Sequence, residues 1–133
     1  MKIVTIFIQN NNKEFLIQKR SKEKNGKYGI TSGHVEENEE MKQAAIREIK
    51  EELGLDIKEN ELKLFYSDKV NEDSYNLYIL KKDFHINNLT LQKEEVEFVK
   101  WCNINEIEKI IEEGNFFKTQ IEAYNIAKKM IKI

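Results

Sequence analysis

Glu48, Glu51 and Glu52 fall at positions i, i+3 and i+4. On a helix, that spacing sets three carboxylates side by side on one face. Three such charges repel one another unless a cation neutralises them. A cluster of hard oxygen donors suits Mg²⁺ or Mn²⁺ rather than zinc. Mg²⁺ held by a few carboxylates keeps positions open for water and for phosphate oxygens. The same residues could also form a plain solvated face, because acidic runs on helices usually do.

The surrounding stretch, Gly33 to Leu55, reads GHVEENEEMKQAAIREIKEELGL. Gly33 is followed after five residues by Glu39. Seven residues later come Arg47-Glu48, apolar Ile49, one residue, Glu51-Glu52, one residue, Gly54 and Leu55. Every defined position resembles the box of the Nudix (MutT-like) hydrolase superfamily, G-x5-E-x7-R-E-U-x-E-E-x-G-U, with U a bulky aliphatic. By ordinary residue frequencies, such a match arises by chance roughly once in ten million start positions. That outweighs the reading as a solvated face. The remaining chain is also similar to the family in its strands before the box, its sheet-forming stretch after it, its Trp-ended strand and its C-terminal helices.

The resemblance implies a Mg²⁺- or Mn²⁺-dependent enzyme. Water would attack a phosphorus of a diphosphate linkage in a nucleoside diphosphate derivative, a nucleoside triphosphate or an oxidised one among them. It implies Glu48, Glu51 and Glu52 as metal ligands, with the backbone carbonyl of Ser32 as a further contact. Arg47 would pair with Glu39 or Glu48 and orient the acidic face. Gly33 would let the chain turn sharply, and Gly54 would end the helix. Family members differ in their general base, which is either a box glutamate or one on a later loop. Glu94, Glu95 and Glu97 precede Trp101, where that loop falls. Glu95 or Glu94 would be a fourth ligand or the base, and Glu97 would point outward. Arg20 resembles a position near substrate phosphates, where a guanidinium binds bidentately. His34 has two readings, a phosphate contact or a hydrogen-bonded structural histidine. Asn115 resembles a loop position that reads the base. Tyr28, Tyr75, Tyr78 and Phe117 are candidates for stacking on it, with packing as the alternative. Trp101 and Cys102 read as core.

Three competing functions stand beside this one. ADP-ribose or another sugar nucleotide is an alternative substrate. Enzymes of that kind often carry an extra N-terminal sheet, which this short chain is expected to lack. Gln18 to Ser21, Ser32 to His34 and Leu91 to Val96 also resemble the isopentenyl diphosphate isomerase branch. That isomerase uses a cysteine upstream of the box, and here the one thiol, Cys102, lies downstream. A non-catalytic ligand-binding member would have lost box carboxylates, and all are present.

These residues need elements to position them. Lys2 to Gln9 alternates and is rich in Ile, Val and Phe, as a strand does. Asn10 to Asn12 reads as a turn, and Glu14 to Lys19 as the returning arm of a hairpin. Ser21 to Ile30 reads as a loop. Glu39 to Leu53 carries Met41, Ala44, Ala45, Ile49 and Leu53 as one apolar stripe of a helix. Asn38 is its expected N-cap, glutamates fill its first turn, and Gly54 follows its end. Glu61 to Val70 and Ser74 to Lys81 read as strands joined by a turn at Asn71 to Asp73, and Val96 to Trp101 as another. Asn105 to Glu113, closed by Gly114, and Phe117 to Lys132 read as helices, the second burying Ile121, Tyr124, Ala127 and Ile131. Strands, helix, strands and helices in that order predict an α/β (α+β) fold, a mixed β-sheet sandwiched between helices.

Composition bounds the rest. The 133 residues suit one domain spanning 1–133. The net charge of −2 gives no general attraction to nucleic acid polymers or anionic membranes. No apolar run reaches membrane-spanning length. One cysteine, and no signal-peptide pattern at the start, point to a cytoplasmic protein. The expected partner is a small nucleotide-like diphosphate, and the expected state a monomer or homodimer.

Overall fold

In a computed structural model, which describes residues 1–131, seven strands form one mixed sheet. They are β1 (Lys2–Gln9), β2 (Phe15–Arg20), β3 (Tyr28–Gly29), β4 (Thr31–His34), β5 (Leu62–Val70), β6 (Asp73–Lys81) and β7 (Val96–Cys102). Three α-helices accompany them: α1 (Met41–Leu53), α2 (Ile104–Glu112) and α3 (Ile121–Ile131).

Alternation along the strands builds both cores. Val4, Ile6 and Ile8 of β1, Leu16 of β2 and Leu80 of β6 face α1, whose Ala44, Ala45, Ile49 and Leu53 are buried against them. Phe7, Phe15, Ile17 and Leu77 face the opposite way, onto Ile107 and Ile110 of α2 and Tyr124 and Ala127 of α3. Each fully buried aliphatic side chain contributes about 1.5–3 kcal/mol relative to exposure. The result is the expected α/β/α sandwich.

β1 is the axis of the sheet. It pairs in parallel with β6 along its whole length, from Lys2↔Ser74 to Gln9↔Lys81. On its other side it pairs with β4, from Ile3↔His34 to Ile6↔Thr31. The expected hairpin of β1 and β2 is therefore corrected. The two strands meet at Gln9↔Phe15 and then diverge, because β4 takes the place beside β1. β2 pairs instead with β7 and β3. The expected loop, Ser21 to Ile30, also needs correction, since Tyr28 and Gly29 form a short strand within it; Thr31 to His34, just beyond it, form another. Their pairing partners are distant in sequence, so no local alternation announced them.

Helix ends differ in detail. Asn38 is not the N-cap of α1. It takes a left-handed φ of 65°, and Glu40 occupies the cap without a side-chain hydrogen bond. The glutamates expected in the first turn lie before it, because Glu39 is drawn away to Arg47. Gly54 does cap α1, with φ 68°. Asn103 caps α2 through a reciprocal box with Glu106. Phe117 precedes a 3₁₀ turn at Lys118–Gln120, after which α3 begins; the expected end of that helix at Lys132 lies outside the described residues. Trp101 is half-buried and packs against Phe84, with ring centroids 5.1 Å apart and planes tilted by 49°. Cys102 is fully buried, and burial pushes its thiol up to about 11. Among the described residues, no helix is long and apolar enough to cross a membrane.

Candidate active site

Arg47 organises one end of α1. Its Nε donates to Glu39 Oε2 at 2.8 Å and its Nη2 to Glu39 Oε1 at 3.0 Å, a bidentate pair. Its Nη1 donates to Glu48 Oε1 at 2.9 Å, and its Nη2 also donates to the His34 carbonyl at 3.0 Å. Both partners expected for Arg47 are thus engaged at once. These bonds, together with the Glu36 N–H on Glu39 Oε1, hold the Glu39 carboxyl down at about 2.

Glu48 lies against Gly33. A Cβ on Gly33 would sit 2.1 Å from Glu48 Cδ. The reason for glycine is therefore not the sharp turn that the sequence suggested. Gly33 sits within β4, paired with Val4, and its φ is not positive. A side chain there would displace the carboxylate one layer above.

Glu52, within hydrogen-bonding reach of Glu48, lines a pocket of about 60 Å³ with Gln18, Arg20, Ile30, Ser32, Glu95 and Gln120. Gln18 Nε2 donates to Glu52 Oε1 at 3.2 Å. Loss of water is the main cause that raises the Glu52 carboxyl to about 9. Glu48 adds to it through a hydrogen bond and its charge, Gln18 opposes it, and the Glu95 charge adds a little more. Glu52, Glu48 and Glu95 thus form one acidic cluster, in which Glu52 holds its proton near neutral pH. Glu51 stands outside it, with 48 % of its side chain exposed and only 3.4 Å contacts to Arg47. Among the described residues, no three His, Cys, Asp or Glu side chains are gathered closely enough to hold a metal ion as they stand. The donors are nevertheless hard oxygens whose mutual repulsion a divalent cation would relieve, so the residues fit such an ion.

The loop glutamates separate clearly. Glu95 enters the pocket and also meets Lys24 Nζ at 3.4 Å. Glu94 is exposed, and its backbone carbonyl accepts from Ser21 Oγ. Glu97 is exposed, as expected.

A larger cleft of about 420 Å³ opens on the sheet face opposite α1. Ile3, Tyr66, Tyr75, Leu77, Phe117 and Ala123 make it predominantly apolar, and Asp68 and Glu122 supply its carboxylates. Ser32 and Gln120 line both the cleft and the Glu52 pocket, so the two adjoin. Gly33 and His34 also border the cleft. Of the stacking candidates, Tyr75 and Phe117 line it. Tyr78 is buried under α1 instead. Tyr28 lies elsewhere, beside Phe98 with Lys19 and Lys100 over its ring. Asn115 is exposed and lines neither space; its carbonyl accepts from the Tyr28 N–H, which fixes the backbone there.

Two site residues escaped the sequence reading, and both are buried amides. Gln18 had a faint signal, as a polar residue directly after the apolar run Phe15 to Ile17. Gln120 had none. Its Oε1 accepts from Ile30 N at 2.8 Å, and its Nε2 donates to Ile30 O and Ser32 Oγ, both at 2.9 Å. These bonds close a gap of 90 residues and pin the segment between β3 and β4. Gly29 leaves the space, since a Cβ there would meet Gln120 Oε1 at 2.5 Å. Gln120→Leu strands the backbone groups of Ile30, so we expect a loss of about 3 kcal/mol in urea unfolding. A change below 1 kcal/mol would mean that water replaces the amide.

Comparison with known proteins places this geometry. Residues 1–123 match the model of the NUDIX domain. An uncharacterised Nudix hydrolase of Listeria innocua is 36 % identical over 120 residues, covering 86 % of this chain and 70 % of that protein. Among solved structures, a MutT described for Aliivibrio salmonicida and Vibrio cholerae superposes with a TM-score of 0.74 at 22 % identity, covering 99 % of this chain and 98 % of the other. A Deinococcus radiodurans protein superposes with a TM-score of 0.73 at 19 % identity, covering 86 % and 74 %. The chain belongs to the Nudix family. Within it, the protein is a Nudix hydrolase, of an enzyme family that cleaves diphosphate linkages in nucleoside diphosphate derivatives and generally uses divalent metal ions.

Proposed function

We propose that the enzyme hydrolyses a nucleoside triphosphate, an oxidised one among the candidates, using Mg²⁺ or Mn²⁺ held by Glu48, Glu51 and Glu52. The supporting observation is the adjoining of two unlike spaces. The polar pocket gathers Glu52 and Glu95, and the neighbouring apolar cleft has room for a planar organic group.

The bound cation would supply charge neutralisation at the phosphate oxygens and a more acidic water. The chain supplies the rest. Arg47 holds Glu48 in place and ties it to the His34 carbonyl. Glu95, better placed than Glu94, would take the proton of the attacking water or add a fourth ligand. The Ser32 carbonyl would be the further metal contact. Arg20, at the pocket, grips phosphate oxygens. His34, beside the cleft, contacts the substrate where phosphates meet the organic part. Asn115 is withdrawn from the base-reading role because it lines neither space.

The isomerase reading has no thiol upstream of the box, and the downstream Cys102 is sealed in the core. A substrate panel tests the proposal: nucleoside triphosphates, 8-oxo nucleotides, sugar nucleotides, dinucleoside polyphosphates and isopentenyl diphosphate. Each is assayed with Mg²⁺, with Mn²⁺ and with excess chelator, scoring phosphate, pyrophosphate and isomer formation. The expected result is cation-dependent hydrolysis of a nucleoside triphosphate. Undiminished turnover in chelator, or isomer without phosphate release, would sink it.

A further inference from the structure

Arg20 carries an unspent donor. It is the last residue of β2, where the pairing with β7 slips: Lys19 faces Phe98, and Arg20 faces Val96. Such an irregularity re-aims a side chain. The Arg20 guanidinium carbon lies 4.1 Å from the centroid of the Phe117 ring. Its Nη1 is buried and has no hydrogen-bond partner among the described residues. Arg20 and Glu52 line the same pocket.

Phe117 belongs to the neighbouring space. Its ring lines the apolar cleft, while its backbone is fixed on both sides. Its N–H donates to the Tyr28 carbonyl at 2.7 Å, and its carbonyl accepts from the Gln120 N–H at 3.0 Å. The same aromatic side chain therefore supports the guanidinium and walls the cleft. A guanidinium stacked on a ring keeps all its N–H groups directed outward in the guanidinium plane. A long arginine without that support would spread over several rotamers and lose the aim.

We propose that Phe117 is a positioning residue for phosphate binding: its ring holds Arg20 so that the unpaired Nη1 awaits a phosphoryl oxygen, while the ring also borders the seat of the substrate's organic part. The inference rests on the diphosphate reading above, and it adds a link between the two halves of the substrate site. Binding of the organic group against Phe117 fixes the ring and with it the guanidinium. Ligands lacking that group still depend on Phe117, through Arg20 alone.

That dependence separates positioning from simple cleft lining. The probes are methylenediphosphonate, which has no organic part, and α,β-methylene ADP, neither of which contains a P–O–P bond to hydrolyse, titrated calorimetrically with Mg²⁺ present. We expect Phe117→Leu to weaken methylenediphosphonate binding about tenfold, and Phe117→Tyr, which keeps the ring, to leave it unchanged. Phe117→Met, of similar bulk without the ring, should show the same tenfold loss and carries the test if Leu impairs folding. In an Arg20→Gln background, where diphosphonate binding is already weak, Phe117→Leu should add no further loss. Four results would overturn the proposal. Phe117→Leu and Phe117→Met could both spare methylenediphosphonate and weaken only α,β-methylene ADP, leaving the ring as mere lining. The two losses could multiply in the double variant, showing that Phe117 and Arg20 act separately. Arg20→Gln could leave both probes unaffected, which removes the phosphate grip without touching the hydrolase reading. Failure of the wild-type protein to bind either probe would remove the phosphate site itself and the inference with it.

Discussion

Glu52→Gln lowers kcat by roughly a thousandfold, the loss expected when several kcal/mol of charge stabilisation disappear from the transition state. The amide keeps the size of the side chain and can still bond Gln18, whose Nε2 reaches Glu52 Oε1 at 3.2 Å. It removes only the ability to carry full negative charge beside Glu48 and Glu95. The folded protein has little reason to suffer. Burial and neighbouring carboxylates already work against ionisation at this position, so a neutral group there relieves repulsion. We expect a melting temperature equal to or above that of the wild type. Single-turnover kinetics and thermal unfolding on the same preparation check both halves. Activity within tenfold of wild type would remove Glu52 from the chemistry. A collapse in melting temperature would make its role structural.

Gly33→Ala is expected to lower kcat/KM by about a hundredfold and stability by about 1–3 kcal/mol. The new methyl group would occupy the place of the Glu48 carboxylate carbon, at 2.1 Å. Backbone conformation is not the obstacle, because β4 is extended here and holds its pairing with β1. Glu48 must move, and Arg47 Nη1 then loses its 2.9 Å partner. Adding Glu48→Ala to Gly33→Ala makes room for the methyl group. The double variant should recover most of the lost stability and none of the lost activity. If Gly33→Ala alone retained full kcat/KM, Glu48 would tolerate displacement, and its proposed grip on the metal would fall.

The acidic helix shows how unevenly the site was legible. The Glu48, Glu51, Glu52 spacing on α1, the pairing of Arg47 and the αL cap at Gly54 are local consequences of a 3.6-residue period and short-range chemistry. They could be read directly. The sequence could not say that Glu51 parts company with the other two carboxylates. Glu48 turns to Arg47 and Gly33, Glu52 dips into the pocket, and Glu51 stays outside. That choice depends on which neighbouring strands press on each side of the helix. Glu94 and Glu95 were likewise indistinguishable in sequence. The register at the start of β7 and the tie from Ser21 to Glu94 turn one outward and the other inward.

The sequence by itself determined the family, the secondary structure around the box, the α/β/α layering and the kind of donor atoms at the site. Each follows from residue type and from periods that recur within a few turns or strands. Only the tertiary structure decided that β4 displaces β2 from β1, that Gln120 bonds Ile30 across 90 residues, and that Phe117 stands between the cleft and Arg20. These contacts join segments with no common local period. Their energy arises only when the chain has closed, so no stretch of sequence carries their signature alone.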